Sequence, residues 1–180
     1  MATEDSDLKY SKFSKTSGNF PDELEQVSSI AEELRDYMAT ELVCSAIRDV
    51  HKLNANSQQV QGLLEEKLSE LGFRSEKKDL FRGCKVPSLR PDFYRKVGKS
   101  GILVEIERGK TIANNMDLLD IWKCHLCAEA DFLFLVVPCE RRNHKGQVTK
   151  AFDRASKRMA TFFEPSKNYV NVEAVYLFGY

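Results

Sequence analysis

The sequence predicts an α/β (α+β) fold, a mixed β-sheet flanked by helices, with extra helices on its N-terminal side. Three observations carry this. Apolar residues recur at helical spacing from Leu24 to Leu71. From Phe73 the period shortens towards the alternation of strands. Phe132 to Val137 is almost wholly apolar, as in a central strand covered on both faces.

Residues 1–20 are polar and read as a flexible tail. Pro21 suits a helix first turn, and Asp22, Glu23 and Glu25 suit its dipole. Leu24, Val27, Ile30, Leu34 and Met38 form one stripe, continued by Leu42, Val43, Ala46, Ile47 and Val50. Thr40 can cap a new helix there. Asn54 to Ser57 is a turn and cap signal opening a third helix, with Val60, Leu63, Leu64, Leu68 and Leu71 as its stripe. Gly72 is placed to end it. Phe73 to Phe81 reads as a charged strand, 82–88 as a loop and Leu89 to Lys96 as a second strand. Val97 to Gly101 is a tight turn, and Ile102 to Glu107 completes an antiparallel hairpin. Asn114 or Asn115 can cap a helix whose apolar residues are Met116, Leu119, Trp122, Leu126 and Cys127. After Pro138 come a basic loop to Gly146, a helix from Val148 to Phe163 and a last strand from Tyr169 to Phe178. The expected organisation is one domain over 21–180. It comprises a helical extension (21–56), an α-β-β-β-α-β core (57–138) and a C-terminal helix and strand (139–180).

Composition fits a globular chain, with 42% hydrophobic and 30% charged residues. No apolar run reaches the ~18 residues of a membrane span. The start, Met1-Ala-Thr-Glu-Asp-Ser, lacks a basic-then-apolar signal peptide. A cytoplasmic chain with five reduced cysteines is expected. The net charge of zero hides an asymmetry: residues 1–70 carry 14 acids and 7 bases, so residues 71–180 carry 13 and 20. A polyanion would be drawn to the second part, although an acidic helical part beside a sheet part gives the same split. Arg141, Arg142, Lys145, Lys150, Arg154, Lys157 and Arg158 concentrate seven cations against Asp153 alone. They can contact phosphates or form a solvated face.

The chemistry centres on Glu105 and Glu107, two apart on the third strand and so on one face of it. Carboxylates on an apolar strand are costly unless something positive joins them, and a hard divalent cation is the obvious partner. Asp92, on the preceding strand, can converge on the same point. The alternative is pairing of Asp92 and Glu105 with Arg90, Arg95 or Arg108.

Pro91-Asp92 and Glu105-Ile106-Glu107, 13 residues apart on adjacent strands, resemble the two elements of the PD-(D/E)xK nucleases. This superfamily includes the type II restriction endonucleases, some of which carry Glu or Gln in the Lys place, as Glu107 stands here. The resemblance spans the ~80 residues of the α-β-β-β-α-β core. It implies a restriction endonuclease-like fold and Mg²⁺-dependent (or Mn²⁺-dependent) hydrolysis of DNA phosphodiester bonds. Asp92, Glu105 and the Ile106 carbonyl would hold the metal. Glu107 would hold a second metal or orient the water, and Lys110 or Lys123 would supply the missing cation. Glu65 or Glu66 could add a helix carboxylate. Cutting both strands of a duplex implies a homodimer, with the acidic N-terminal helices as the expected contact surface. The other reading is a non-catalytic nucleic-acid-binding or assembly module that retains the fold.

Cys124-His-Leu-Cys127 has no second pair at zinc spacing, and its cysteines read as structural. Trp122, in step with Leu119 and Leu126, reads as core rather than as a base-stacking platform.

Overall fold

A computed structural model describes residues 8–51, 57–75, 78–86, 89–107, 111–112, 114–142, 145–165 and 169–180. The helical stripe of the N-terminal third folds as α1 (Pro21–Met38), α2 (Glu41–Val50) and α3 (Ser57–Glu70). Pro21 stands in the first turn of α1, and Thr40 is the N-cap residue of α2. The Thr40 hydroxyl, however, donates back to the Tyr37 carbonyl at 2.8 Å instead of accepting from α2 amides. Gly72, at φ 78°, takes the left-handed conformation that stops α3.

The sheet has six strands in the order β1-β8-β5-β4-β3-β2. β3 (Phe93–Val97) and β4 (Ser100–Ile106) form the expected antiparallel hairpin. β5 (Phe132–Val137) runs parallel to β4 after the crossover through α4 (Met116–Leu126). β8 (Ala174–Gly179) runs parallel to β5 after α5 (Ala151–Phe162). β5 and β8 are buried along their whole length, as their near-continuous apolar runs require. Alternation along β4 divides the core. Ile102, Val104 and Ile106 pack with α1, α2 and α3, whereas Leu103 packs with the residues of α4 and α5 on the other face.

Three expectations are corrected. The tail is partly a strand: β1 (Lys9–Ser14) pairs antiparallel with β8 along the sheet edge. Tyr10 lies 5.3 Å from Phe178, ring to ring, and Lys15 reaches Glu173 at 3.3 Å. The segment is short and lysine-rich, as edge strands often are, so its pattern resembles a polar tail. The first strand shrinks to β2 (Arg74–Ser75), and 78–81 is a 3-10 turn that buries Leu80 and Phe81. The basic loop contains a second small sheet of β6 (Glu140–Arg142) and β7 (Val148–Lys150), which displaces the start of α5 to Ala151. The apolar stripe of the N-terminal helices is also largely withdrawn from the surface, Leu42 excepted. Val27, Ile30, Ala31, Leu34, Met38, Val43 and Ile47 are spent covering the sheet, so this stripe gives no support to the expected dimer contact.

None of the five cysteines forms a disulfide. No helix among the described residues is long and apolar enough to cross a membrane. Gly101, on β4, shows how tightly the hairpin is closed: a Cβ there would meet the Tyr94 ring at 2.5 Å and the Glu129 carbonyl at 2.6 Å. Neither backbone carbonyl nor buried ring can retreat freely. Gly101→Ala is therefore expected to cost about 2 kcal/mol. Urea unfolding checks this, and an unchanged midpoint would contradict the packing.

Candidate active site

The site is built where β3 and β4 pair. Phe93 opposes Val104, so the residue before β3, Asp92, falls in register with Glu105. Asp92 does not point away: its Oδ2 accepts the Ile106 amide proton at 2.8 Å, tying the aspartate to the end of β4. Glu105 shares the face of Leu103, towards α4 and α5, and is only 4% exposed. Glu107 follows β4, with its amide bonded to the Val136 carbonyl at 2.8 Å and its own carbonyl receiving the Tyr180 hydroxyl at 2.9 Å.

A cation meets these carboxylates, and it comes from α4. Lys123 Nζ lies 2.7 Å from Glu105 Oε1 and 3.4 Å from Asp120 Oδ1. Asp120 is 1% exposed, and its second oxygen is buried without a hydrogen-bond partner. One turn earlier, Asp117 receives Arg158 of α5 at 2.9 Å, and its second oxygen is likewise unsatisfied. Thus β4, α4 and α5 all deliver charged side chains into one place between the sheet and its helices.

The electrostatics follow from burial. Desolvation pushes Asp120 up to about 8, partly opposed by Lys123. Glu105 is raised well above the usual carboxylate range, first by desolvation and then by Asp120, again against the pull of Lys123. Glu107 rises to about 6, through desolvation and then the charge of Asp92. One ammonium cannot offset the burial of two carboxylates, so the cluster holds on to protons that free carboxyl groups would already have released.

Asp92 and Glu105 thus fall opposite each other across the hairpin, and the charge of Asp92 bears on Glu107. Of the two lysines suggested, Lys123 lies against Glu105, while Lys110 lies outside the described residues. Glu65 and Glu66 are corrected: they are exposed on α3, a helix that covers the opposite face of the sheet. Arg95 is not the partner of Glu105 either, since it is turned to that opposite face and donates to the Leu71 carbonyl. Arg158 leaves the basic face to meet Asp117, and Lys150 ends β7 rather than lying on a helix. Arg142, Lys145, Arg154 and Lys157 remain exposed, and Arg141 is half-buried.

Sequence reasoning missed Asp117 and Asp120 because it assigned the core face of α4 to the wrong stripe. The buried residues are Asp117, Asp120, Ile121 and Cys124, whereas Leu119, Trp122 and Leu126 are 54%, 50% and 42% exposed. The signal available was two aspartates and a lysine at i, i+3 and i+6, one polar face on an otherwise apolar helix. Asn115 does stand at the N-cap of α4, in the left-handed conformation, but makes no side-chain cap. Cys124 and Cys127 are buried near the Ala130 and Leu80 carbonyls, as structural cysteines are. Among the described residues no three carboxylate, imidazole or thiol side chains converge as a ready-made metal cage.

No protein-family model matches the chain, and no curated protein does. Among solved structures it is similar to restriction endonuclease BglII complexed with a DNA 16-mer. The TM-score is 0.47 at 12% identity, over 96% of this chain and 75% of that one. A likeness at this level carries no residue role from one chain to the other.

Proposed function

We propose that this chain is a divalent-metal-dependent DNA endonuclease that hydrolyses phosphodiester bonds. The observation that supports it best is the buried Glu105–Lys123 pair between β4 and α4, with Asp92 in register beside Glu105. A structural role would be served more cheaply by apolar residues, because buried ion pairs rarely stabilise more than their isosteres. Carboxyl groups buried in excess of their cations, on β4 and α4 beside the in-register Asp92, are better explained by a ligand.

The donor set fits Mg²⁺ or Mn²⁺ in chemistry. It is all oxygen, has more carboxyl groups than cations, and includes an orphaned buried acceptor on Asp120. Asp92, Glu105 and the Ile106 carbonyl would hold the ion, with Glu107 or Asp120 adding an oxygen. When bound, the metal supplies Lewis-acid polarisation of the phosphate and a more acidic water. The chain's own groups do the rest. Lys123, oriented by Glu105 and Asp120, keeps one of its three donors to spare and can stabilise the charge growing on the phosphate. Glu107, poised at about 6, can accept a proton from an attacking water near neutral pH. Arg142, Lys145, Arg154 and Lys157, exposed around β6, β7 and α5, are suited to hold the phosphate backbone.

The test is plasmid cleavage with Mg²⁺ or Mn²⁺. Wild type should nick or linearise the plasmid. Asp92→Ala should lose at least about a hundredfold in rate, the scale of removing one preorganised group at a reacting centre. Cleavage that survives Asp92→Ala would sink this reading. Metal-independent retention of DNA with no cleavage would favour the non-catalytic module, for which Glu107 in the Lys place is the supporting feature.

A further inference from the structure

Glu107 lies just past the end of β4, where pairing with β3 no longer sets its direction. Its main chain is nevertheless held on both sides. The peptide before it donates its proton to the Val136 carbonyl at 2.8 Å, and the peptide after it accepts the Tyr180 hydroxyl at 2.9 Å. A peptide unit is planar, so two fixed planes leave little freedom in the φ and ψ between them. The Cα–Cβ bond of Glu107 is aimed as a result. Tyr180 reaches this point from the far side of β5. It follows β8, and the strand order β8-β5-β4 sets β5 between it and Glu107. Its own main chain prolongs the β8–β5 pairing. The Tyr180 amide donates to the Val137 carbonyl at 3.0 Å, and its carbonyl accepts the Cys139 amide proton. The phenol then crosses the end of β5. His51, the residue that closes α2, meets the Tyr180 ring edge-on at 5.3 Å and donates from Nε2 to the Glu140 carbonyl at 3.2 Å. Edge-on aromatic contact of this kind steadies the ring.

We infer that Tyr180 is a positioning residue for Glu107. Its hydroxyl fixes the main chain there and so directs the Glu107 carboxyl into the site, where the charge of Asp92 already bears on it. A carbonyl at a half-buried strand end can be satisfied by water, so the fold itself does not require this bond. A ligand site does. Groups that hold a metal ligand from behind set its orientation, and their loss costs about 10- to 100-fold in metal affinity or rate. The inference that the aimed carboxyl serves a divalent cation rests on the metal-dependent reading above, whereas the hold on Glu107 does not.

Tyr180→Phe tests this, because it keeps the ring against His51 and removes only the hydroxyl. Free Mn²⁺ counted by electron paramagnetic resonance, in titrations of the full chain, gives the Kd for the ion without any need for cleavage. Tyr180→Phe should raise that Kd about tenfold. Glu107→Gln should raise it at least as much. Adding Tyr180→Phe to Glu107→Gln should then change it by less than about twofold, because the aim of a lost ligand no longer matters. A hydroxyl that only braced the fold would weaken both backgrounds alike. In plasmid cleavage, kcat of Tyr180→Phe should fall about tenfold with KM for DNA unchanged. A Tyr180→Phe protein with the wild-type Kd, or with the same loss in both backgrounds, overturns the inference and leaves the nuclease standing wherever wild type cuts. Mn²⁺ binding that depends on Tyr180 only through Glu107, in a chain that cuts nothing, keeps the positioning role and removes the nuclease. A wild type that binds no Mn²⁺ overturns the inference.

Discussion

Lys123→Met is expected to lose cleavage by a hundredfold or more, and to destabilise the fold by about 3 kcal/mol at pH 8. Met keeps the length and apolar stem of lysine, so the change isolates the ammonium. Its removal leaves Glu105 and Asp120 buried without a cation, at 2.7 Å and 3.4 Å from where Nζ stood. Buried carboxylates escape that cost by taking up protons. The stability loss should therefore shrink at pH 5, where protonation is cheap, while the loss of activity persists. Equilibrium unfolding at both pH values and cleavage rates at pH 8 give the answer. Lys123→Met with full activity would take Lys123 out of the chemistry. A stability loss equal at both pH values would argue against an uncompensated carboxylate pair.

Asp120→Asn should raise the melting temperature at pH 8 in EDTA and flatten the pH dependence of stability. Asp120 sits near 3.8 when unfolded and is pushed up to about 8 in the fold. Between those values the native state holds a proton that the unfolded chain has released. Stability must then fall as pH rises through this window, with a slope approaching 1.4 kcal/mol per pH unit for one fully linked group. Glu107, raised to about 6, contributes with the same sign over the lower part of the range. Asparagine keeps an oxygen for Lys123 and discards the titration, so the variant's gain over wild type should grow from pH 5 to pH 8. Metal should act in the opposite sense to pH. An ion that binds only the folded chain stabilises it by about 2.7 kcal/mol at a hundredfold excess over its Kd. Glu105→Gln should lose most of that increment while remaining as stable as wild type in EDTA. Thermal melts in EDTA and in millimolar Mg²⁺, from pH 5 to pH 8, decide this. A wild type whose stability rises over that range, and which ignores Mg²⁺ and Mn²⁺, would end the metal-site reading.

The strands that carry Asp92, Glu105 and Glu107 were legible because their evidence is local. Alternation places Glu105 and Glu107 on one face, and the glycine-containing turn at 97–101 sets the hairpin register. The helices of the first third were legible for the same reason, since their apolar stripe has nothing else to do than cover the sheet. β1 was not legible. Its identity as a strand depends on β8, 160 residues away, offering an unpaired edge. Glu65 and Glu66 were assigned to the site by analogy of element order, which says nothing about the face of the sheet that α3 covers. That face was settled by Leu64 and Leu68 packing with Val104 and Ile106.

By itself the sequence determined the mixed α/β order, the paired strands and the acidic character of their ends, because residue type and period act over a few residues. The tertiary structure alone decided which side of α4 turns inward. Aspartates at i and i+3 and apolar residues at i, i+3 and i+7 make the helix amphipathic in either orientation, and periodicity cannot tell the two apart. Burying the acidic side becomes tolerable only once Lys123 can reach Glu105 on β4 and Arg158 on α5 can reach Asp117. Those partners lie 18 and 41 residues apart in the chain and meet only in the folded molecule.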